Sequence, residues 1–288
     1  MSWVVGVLGG SGLYEIDGLQ DRRWVEIASP WGEPSDAVLH GRIGAVELRF
    51  LPRHGRGHRL APSSLNFRAN IDVLKRAGCT DVLSLSAVGS LREALRPGDF
   101  VLVDQFIDRT FAREKSFFGA GLVAHVSMAD PVCPRLSALA AEAAQAAGAR
   151  VVRGGTYLAM EGPQFSTRAE SQLYRAWGCD VIGMTNMPEA KLAREAELPY
   201  ASVGMVTDYD CWRADTDSVE VTNVLQVLGA NAERARDVVR RLAEALPPER
   251  TDSPIDTVLD YALITPSDAR DPALAAKLDA VAGRALAR

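Results

Sequence analysis

The sequence predicts an α/β fold, with a mixed and mainly parallel central sheet flanked by helices and a helical tail at the C-terminal end. Short apolar, β-branched runs at residues 3–8, 46–51, 81–85, 100–103, 155–160, 181–184 and 200–206 alternate with longer stretches whose apolar residues recur at three and four spacing. Such alternation sets strands side by side and lays helices on both sheet faces. With 288 residues and 47% hydrophobic content, the chain can also bury one large core.

Helices are expected at residues 64–77, 135–147, 167–177 and 189–196. Thr167 with Glu170, and Ser90 with Glu93, match the capping box, while Pro188 suits a first helical turn. Across residues 218–246, Leu228, Ala235, Val238, Val239 and Leu242 continue an apolar stripe begun by Val221, Val224 and Leu225, which predicts one long helix bent at Gly229. Residues 247–254, rich in proline and polar residues, read as a linker before an Ala-rich helix at 273–286. Residues 1–250 are read as one domain and 251–288 as a helical extension of it. Leu274, Leu278 and Val281 suit a subunit interface and self-packing equally.

The formal charge of −5 and the lack of a long basic run argue against nucleic-acid binding. Cys79, Cys133, Cys179 and Cys211 are widely separated, with no metal spacing and no disulfide framework, as expected of a reducing cytoplasm. The sequence shows no leader pattern and no run of 18 apolar residues, so a soluble, unexported protein without membrane contact is expected.

Chemistry concentrates at the ends of the apolar runs. Asp208 and Asp210, in Thr207-Asp208-Tyr209-Asp210-Cys211-Trp212, follow the run 200–206. If that run is a strand, its period of two puts both carboxylates on one side of its carboxyl end, where open α/β sheets hold ligands. Such a pair can protonate a ring nitrogen and accept from an exocyclic amine; Mg²⁺ binding and a polar helix-capping loop are the alternatives. Gly6-Val7-Leu8-Gly9-Gly10-Ser11-Gly12 can offer N–H groups and the Ser11 hydroxyl to phosphate, or form a tight turn only. Its spacing matches neither a dinucleotide fingerprint nor a P-loop.

Arg53 and His54, after the run 46–51, can grip an oxyanion or belong to a solvated surface cluster. Ser84-Leu85-Ser86-Ala87-Val88-Gly89-Ser90 combines hydroxyls with residues small enough to admit a ligand to the backbone. Phe165 can stack on a flat ring beside Ser166, although a Gly-Pro turn into a capped helix explains that segment too. Met184 suits either a sugar contact or the core.

These motifs, with Arg53-His54-Gly55-Arg56, Ala69-Asn70, Ala87-Val88-Gly89-Ser90-Leu91-Arg92, Asp104-Gln105-Phe106-Ile107-Asp108-Arg109-Thr110, Glu161-Gly162-Pro163 and Arg168-Ala169-Glu170-Ser171, stand in an order that resembles the S-methyl-5′-thioadenosine phosphorylases of the trimeric purine nucleoside phosphorylase family. The likeness covers about residues 4–246 and implies a nucleoside phosphorylase-like fold. It implies phosphate binding by Ser11, Arg53, His54, Ser86, Ala87 and Thr185. Met184 would meet the ribose, while Phe165, Ser166, Asp208 and Asp210 would face adenine, the two aspartates being catalytic. His125 would approach the 5′ group across a subunit boundary, and Val221, Val224 and Leu225 would line the methylthio pocket. Gly183 stands where close relatives often carry Asn, and Gln164 where Arg is frequent.

The implied reaction is phosphorolysis of S-methyl-5′-thioadenosine to adenine and 5-methylthioribose 1-phosphate, the alternative being a 6-oxopurine or broad nucleoside phosphorylase. A nucleosidase using water and a non-catalytic nucleoside binder are further rivals. No metal or organic cofactor is expected, inorganic phosphate being a co-substrate. The expected partners are small molecules, with no nucleic acid, and the expected assembly is a homotrimer or a dimer of trimers.

Overall fold

The computed structural model describes residues 2–10, 12–213 and 221–287, the side chains of 221–226 excepted. Strands β1 (Val4–Gly9), β2 (Gln20–Val25), β3 (Val38–Ile43) and β4 (Val46–Pro52) come first, followed by helix α1 (Phe67–Arg76) and the long β5 (Asp81–Ser90). Next are β6 (Phe100–Val103), β7 (Gln105–Asp108), α2 (Pro134–Ala146), β8 (Val151–Arg153) and β9 (Thr156–Ala159). The chain continues through α3 (Arg168–Ala176), β10 (Val181–Gly183), α4 (Asn186–Glu195), β11 (Tyr200–Asp208), α5 (Val221–Ala245), α6 (Pro272–Lys277) and α7 (Asp279–Leu286). Among the described residues, no helix is long and apolar enough to cross a membrane.

All these strands belong to one sheet, ordered β2-β3-β4-β1-β5-β10-β9-β7, with β11, β6 and β8 branching from β5. The central β5 runs parallel to β1 and β11 and pairs antiparallel with β10 through its last two residues. Parallel pairing also joins β1 to β4, β9 to β10, β7 to β9 and β6 to β8, so the sheet is mixed with parallel pairs in the majority. Alternation along the strands feeds a core on each face: Val101 and Val103 pack with Ile71, Leu74, Leu192 and Val281, whereas Phe100 and Leu102 pack with Leu136, Ala140, Val238 and Leu242. Helices α1, α4 and α7 therefore cover one face, and α2 and α5 the other.

Four strands escape the sequence reading. In β2, five of six residues are exposed, and its pairing with β3 slips between Gln20 and Arg23, where Asp21 has a φ of 55°. An exposed strand needs no apolar alternation. β3 is interrupted by His40 and Gly41, and Leu19 packs over the glycine; β7 and β8 are only four and three residues long. One expected cap is corrected: Ser90 ends β5, and its hydroxyl bonds Arg92 locally instead of opening a helix. The pairing with β10 holds this segment extended. At α3 the expected box is present, Thr167 and Glu170 capping each other.

The tail opens with a 3-10 segment at Pro254–Tyr261, ends in two α-helices broken at Leu278, and packs on its own chain. Leu259, Leu278, Val281 and Ala282 are buried in the core that holds α1. Glu197 accepts from Leu259 N at 2.9 Å and from Arg284 Nε at 2.8 Å, tying the tail to the turn between α4 and β11.

Helix α4, whose regular turns begin beyond Met187, is joined to the sheet by a buried ion pair. Arg53, one residue past β4, donates through Nε to Glu189 Oε2 at 2.8 Å and through Nη2 to Oε1 at 3.1 Å, both side chains being 2% exposed. The guanidinium also reaches Ser84 Oγ at 2.6 Å, Leu85 O at 3.1 Å and Leu8 O at 3.2 Å, while Tyr200 Oη donates to Glu189 Oε1 at 2.8 Å.

Leu259→Ala is expected to lower unfolding free energy by about 2–5 kcal/mol in urea titrations, the usual range for an emptied leucine site; a loss near zero would mean that the tail adds nothing to the core. Glu189→Gln, which leaves Arg53 buried without its counter-charge, is expected to remove about 3–5 kcal/mol by the same measurement.

Candidate active site

Three strand ends lie together, as the sequence motifs require. Strand β1 pairs with both β4 and β5, Arg53 N donates to Gly9 O at 2.9 Å, and the Arg53 side chain crosses to Ser84 and Leu85 on β5. Ser11 lies outside the described residues. Arg53 is not a free cation, because Glu189 neutralises it. The guanidinium keeps one Nη1 N–H without a partner among the described residues. His54 is buried as well, its Nδ1 2.8 Å from Leu60 O and its ring stacked on His58. Burial, with Arg53 acting in the same direction, pushes its pKa down to about 4, so the imidazole is neutral near pH 7.

Two residues further along β5, Ser86 Oγ lies 3.1 Å from Thr185 Oγ1, and both hydroxyls lie within hydrogen-bond reach of Asn186 Oδ1, at 2.9 and 3.2 Å. Asn186 is anchored in turn by Ser202 on β11. Ala87, next on β5, is exposed. Hydroxyls and open backbone thus converge beside the second half of β5, next to the carboxyl end of β10.

The carboxylates stand at the end of the neighbouring β11, beside the carboxyl end of β5. Asp208 pairs with Gly89, three residues beyond Ser86 and about 10 Å along a strand. A Cβ on Gly89 would come within 2.9 Å of Asp208 Oδ1 and 3.5 Å of Asp210 Cβ, so glycine is what admits both acids. They are not brought together by a simple strand period. The β11 pairing slips between Val206 and Asp208, the strand ends at Asp208, and Asp210 has a φ of 51° in the turn that follows. Asp208 Oδ1 accepts from Asp210 N at 2.7 Å, and Oδ2 from Thr207 Oγ1 at 2.6 Å. Burial raises the Asp208 pKa against those bonds; burial also raises that of Asp210, with the Asp208 charge adding to it. Asp210 Oδ2 is buried with no hydrogen-bond partner among the described residues.

The turn is pinned from several sides. Trp212 Nε1 donates to Ser90 O at 2.8 Å, and Cys211 Sγ lies 3.2 Å from Ser166 O, which draws the Phe165–Ser166 loop toward the acids. Phe165 is 48% exposed, an aromatic face left open beside them. Ser166 Oγ reaches Met160 Sδ at 3.7 Å.

Met184 is set by a residue that the sequence reading passed over. Arg113, its side chain 1% exposed, donates to the carbonyls of Met184 and Met187 at 2.7 Å and of Glu161 at 2.8 Å. The Glu161 carboxylate accepts in turn from Phe111 N at 2.6 Å. No motif marks an arginine that binds carbonyls from two other segments. Gly183, which departs from the family pattern, makes room for Tyr157: a Cβ there would stand 2.1 Å from the tyrosine hydroxyl.

Within the chain, His125 lies apart from this cluster. His125 is exposed, held by a bond from its N–H to Ala262 O, and lines a cavity of ≈ 410 Å³ with Lys115, Lys191 and Glu195. Val221, Val224 and Leu225 open α5, but their side chains lie outside the described residues. A second cavity, of ≈ 1020 Å³, is lined by Ile16, Ile43, Arg234 and Arg236 among others and includes neither Arg53 nor Asp208.

Residues 4–244 match the family profile described as the phosphorylase superfamily. The S-methyl-5′-thioadenosine phosphorylase of Cereibacter sphaeroides is 62% identical over 99% of each chain, and that of Bradyrhizobium diazoefficiens is 60% identical over 98% of each. Among solved structures, a methylthioadenosine phosphorylase sourced from an Antarctic soil metagenomic library superposes with a TM-score of 0.92 at 45% identity, covering 97% of this chain and 99% of that one. The Schistosoma mansoni methylthioadenosine phosphorylase in complex with adenine gives 0.77 at 38% identity, covering 84% and 91%. With the strand ends arranged as the motifs require, the chain belongs to the phosphorylase superfamily and, within it, to the S-methyl-5′-thioadenosine phosphorylase family.

Proposed function

We propose that the chain catalyses phosphorolysis of S-methyl-5′-thioadenosine, releasing adenine and 5-methylthioribose 1-phosphate. The observation that carries this reading is the placement of the Ser86 and Thr185 hydroxyls beside β5 and of a buried carboxyl pair at the end of the adjacent β11, which meets β5 three residues, about 10 Å of strand, beyond Ser86, a length that a ribose with its base and its nucleophile would span. Relatives at 62% and 60% identity bear that activity in their name, and the Schistosoma mansoni enzyme has been solved with adenine and, as a Ser-to-Thr mutant, with methylthioadenosine.

In this reading Ser86, Ala87 and Thr185 hold phosphate with Ser11, His54 and the free Nη1 N–H of Arg53. Met184 lies under the ribose, and Phe165 and Ser166 flank the base. Phosphate attacks C1′ as the glycosidic bond breaks, and its negative charge stabilises the cationic sugar. Holding both reactants at fixed strand ends removes much of the entropic cost of bringing them together.

The base leaves more easily once its ring nitrogen is protonated. Asp208, raised by burial, supplies or shares that proton at N7. Asp210 chooses the base: its unpartnered Oδ2 gains a hydrogen bond from a 6-amino group, whereas a 6-oxo oxygen would set acceptor against acceptor. Adenine is therefore preferred to a 6-oxopurine.

The reading includes no metal or organic cofactor, a cytoplasmic setting and a homotrimer or dimer of trimers in which His125 serves a neighbouring site. The free cysteines, three of them buried, agree with a reducing compartment.

Adenine release from methylthioadenosine is expected to rise with phosphate and saturate; release at an unchanged rate without phosphate would falsify phosphorolysis in favour of hydrolysis. Asp208→Asn is expected to lower kcat for methylthioadenosine by about 10²-fold or more, and wild-type turnover would take Asp208 out of the mechanism. Inosine turnover equal to that of methylthioadenosine would overturn the role given to Asp210.

A further inference from the structure

Strand pairing joins the base side of the site to the sugar side as far as Ala159 on β9 and Gly183 on β10, with one further bond from Met160 N to Gly183 O at 2.9 Å. The segments beyond those residues carry the proposed ligand contacts. Phe165 and Ser166 follow Glu161 on one side, and Thr185 and Asn186 follow Met184 on the other.

Arg113 ties the two segments where the ladder stops. Its Nη1 donates to Met184 O and Met187 O, each at 2.7 Å, and so brackets Thr185 and Asn186. Its Nη2 donates to Glu161 O at 2.8 Å and Met160 O at 3.4 Å, and its Nε to Glu161 Oε1 at 3.3 Å. These bonds use all five N–H groups of the guanidinium, four of them on main-chain carbonyls, so none is left for a ligand. The carbonyls need such a donor, because Met187, with φ −120° and ψ 132°, interrupts the helical ladder that would otherwise occupy them.

The arginine is itself fixed in place. Glu161 Oε2 accepts from Phe111 N at 2.6 Å and Ala112 N at 3.2 Å, and the guanidinium carbon lies 5.2 Å from the centre of the Phe67 ring on α1. The two segments also touch: a Cβ on Gly162 would stand 2.5 Å from Met184 Sδ, which leaves little tolerance in their spacing. Lysine could not do the same, since its ammonium presents three N–H groups from one point whereas the planar fork serves both segments at once.

We infer that Arg113 is a positioning residue for the reaction: it sets the spacing between the loop that would hold adenine and the turn that would hold ribose and phosphate, and it touches neither substrate. The inference rests on the site proposed above. A nucleoside bridges both sides, whereas adenine alone meets only the base side. Misplacing the reactants by about 1 Å can cost about 10²-fold in rate, but it leaves a ligand of one side where it was.

The test is steady-state phosphorolysis by Arg113→Lys in the full chain, with adenine as product inhibitor. At saturating phosphate, kcat/KM for methylthioadenosine is expected to fall by about 10²-fold while the inhibition constant of adenine stays within about threefold of wild type. Wild-type kcat/KM in this variant overturns the inference alone. An adenine inhibition constant that rises as much as kcat/KM falls also overturns it, because Arg113 would then only shape the base side. Should Arg113→Lys show no cooperative thermal unfolding, Arg113→Gln carries the same comparison; failure of both variants to fold would assign Arg113 to the fold and overturn its positioning role. A wild-type chain that releases no adenine in the presence of phosphate removes the proposed function itself, and the inference with it.

Discussion

Removing a guanidinium and a carboxylate from water costs several kcal/mol for each ion, and the site depends on how Arg53 and Glu189 recover that cost. Two charge-assisted bonds join them, and carbonyls, a serine and a tyrosine hydroxyl take up most of the remaining capacity. The partners come from β1, β5, β11 and α4, so one side chain fixes the relative position of the elements that end at the proposed phosphate site. Arg53 thereby becomes a structural member first. What it can still offer an anion is one N–H in a set position, along with hydroxyls held by Asn186, and a cradle of that kind needs no reorganisation when the ligand arrives.

The sheet was legible wherever a strand is buried on both faces. The runs ending in Leu8, Leu51, Val103 and Val206 have continuous apolar stretches because helices cover each side of them. β2 was not legible because its exposed residues carry no alternation, nor β7 and β8 because three or four residues hold too little pattern. In the site, Asp208, Asp210, Ser86 and Thr185 were readable because chemistry-bearing residues followed apolar runs. Glu189, Asn186 and Arg113 were not. They act by holding other groups, and a helical glutamate or a loop arginine has the same local pattern whether it is buried in a network or open to water.

The two aspartates show how the same chain position can be reached by a different physical route. A period of two along a regular strand would have placed them side by side. The structure instead ends the strand with a slipped pairing and turns Asp210 back through a left-handed residue, so that its N–H bonds Asp208 while its own carboxyl points elsewhere. The acids thus differ in surroundings: one has both oxygens engaged, the other keeps an open oxygen out of water. Divergent environments let two identical side chains take separate tasks on one base.

At the opposite margin of the sheet, β2 leaves one side without a neighbouring strand among the described residues. Its Gln20-Asp21-Arg22-Arg23 stretch breaks register at Asp21 and places charges where an incoming chain would have to lie flat. A eleven-stranded sheet with a straight apolar rim would template stacking between molecules at the concentrations of a crowded cell; this irregular, ionised rim keeps such polymerisation closed.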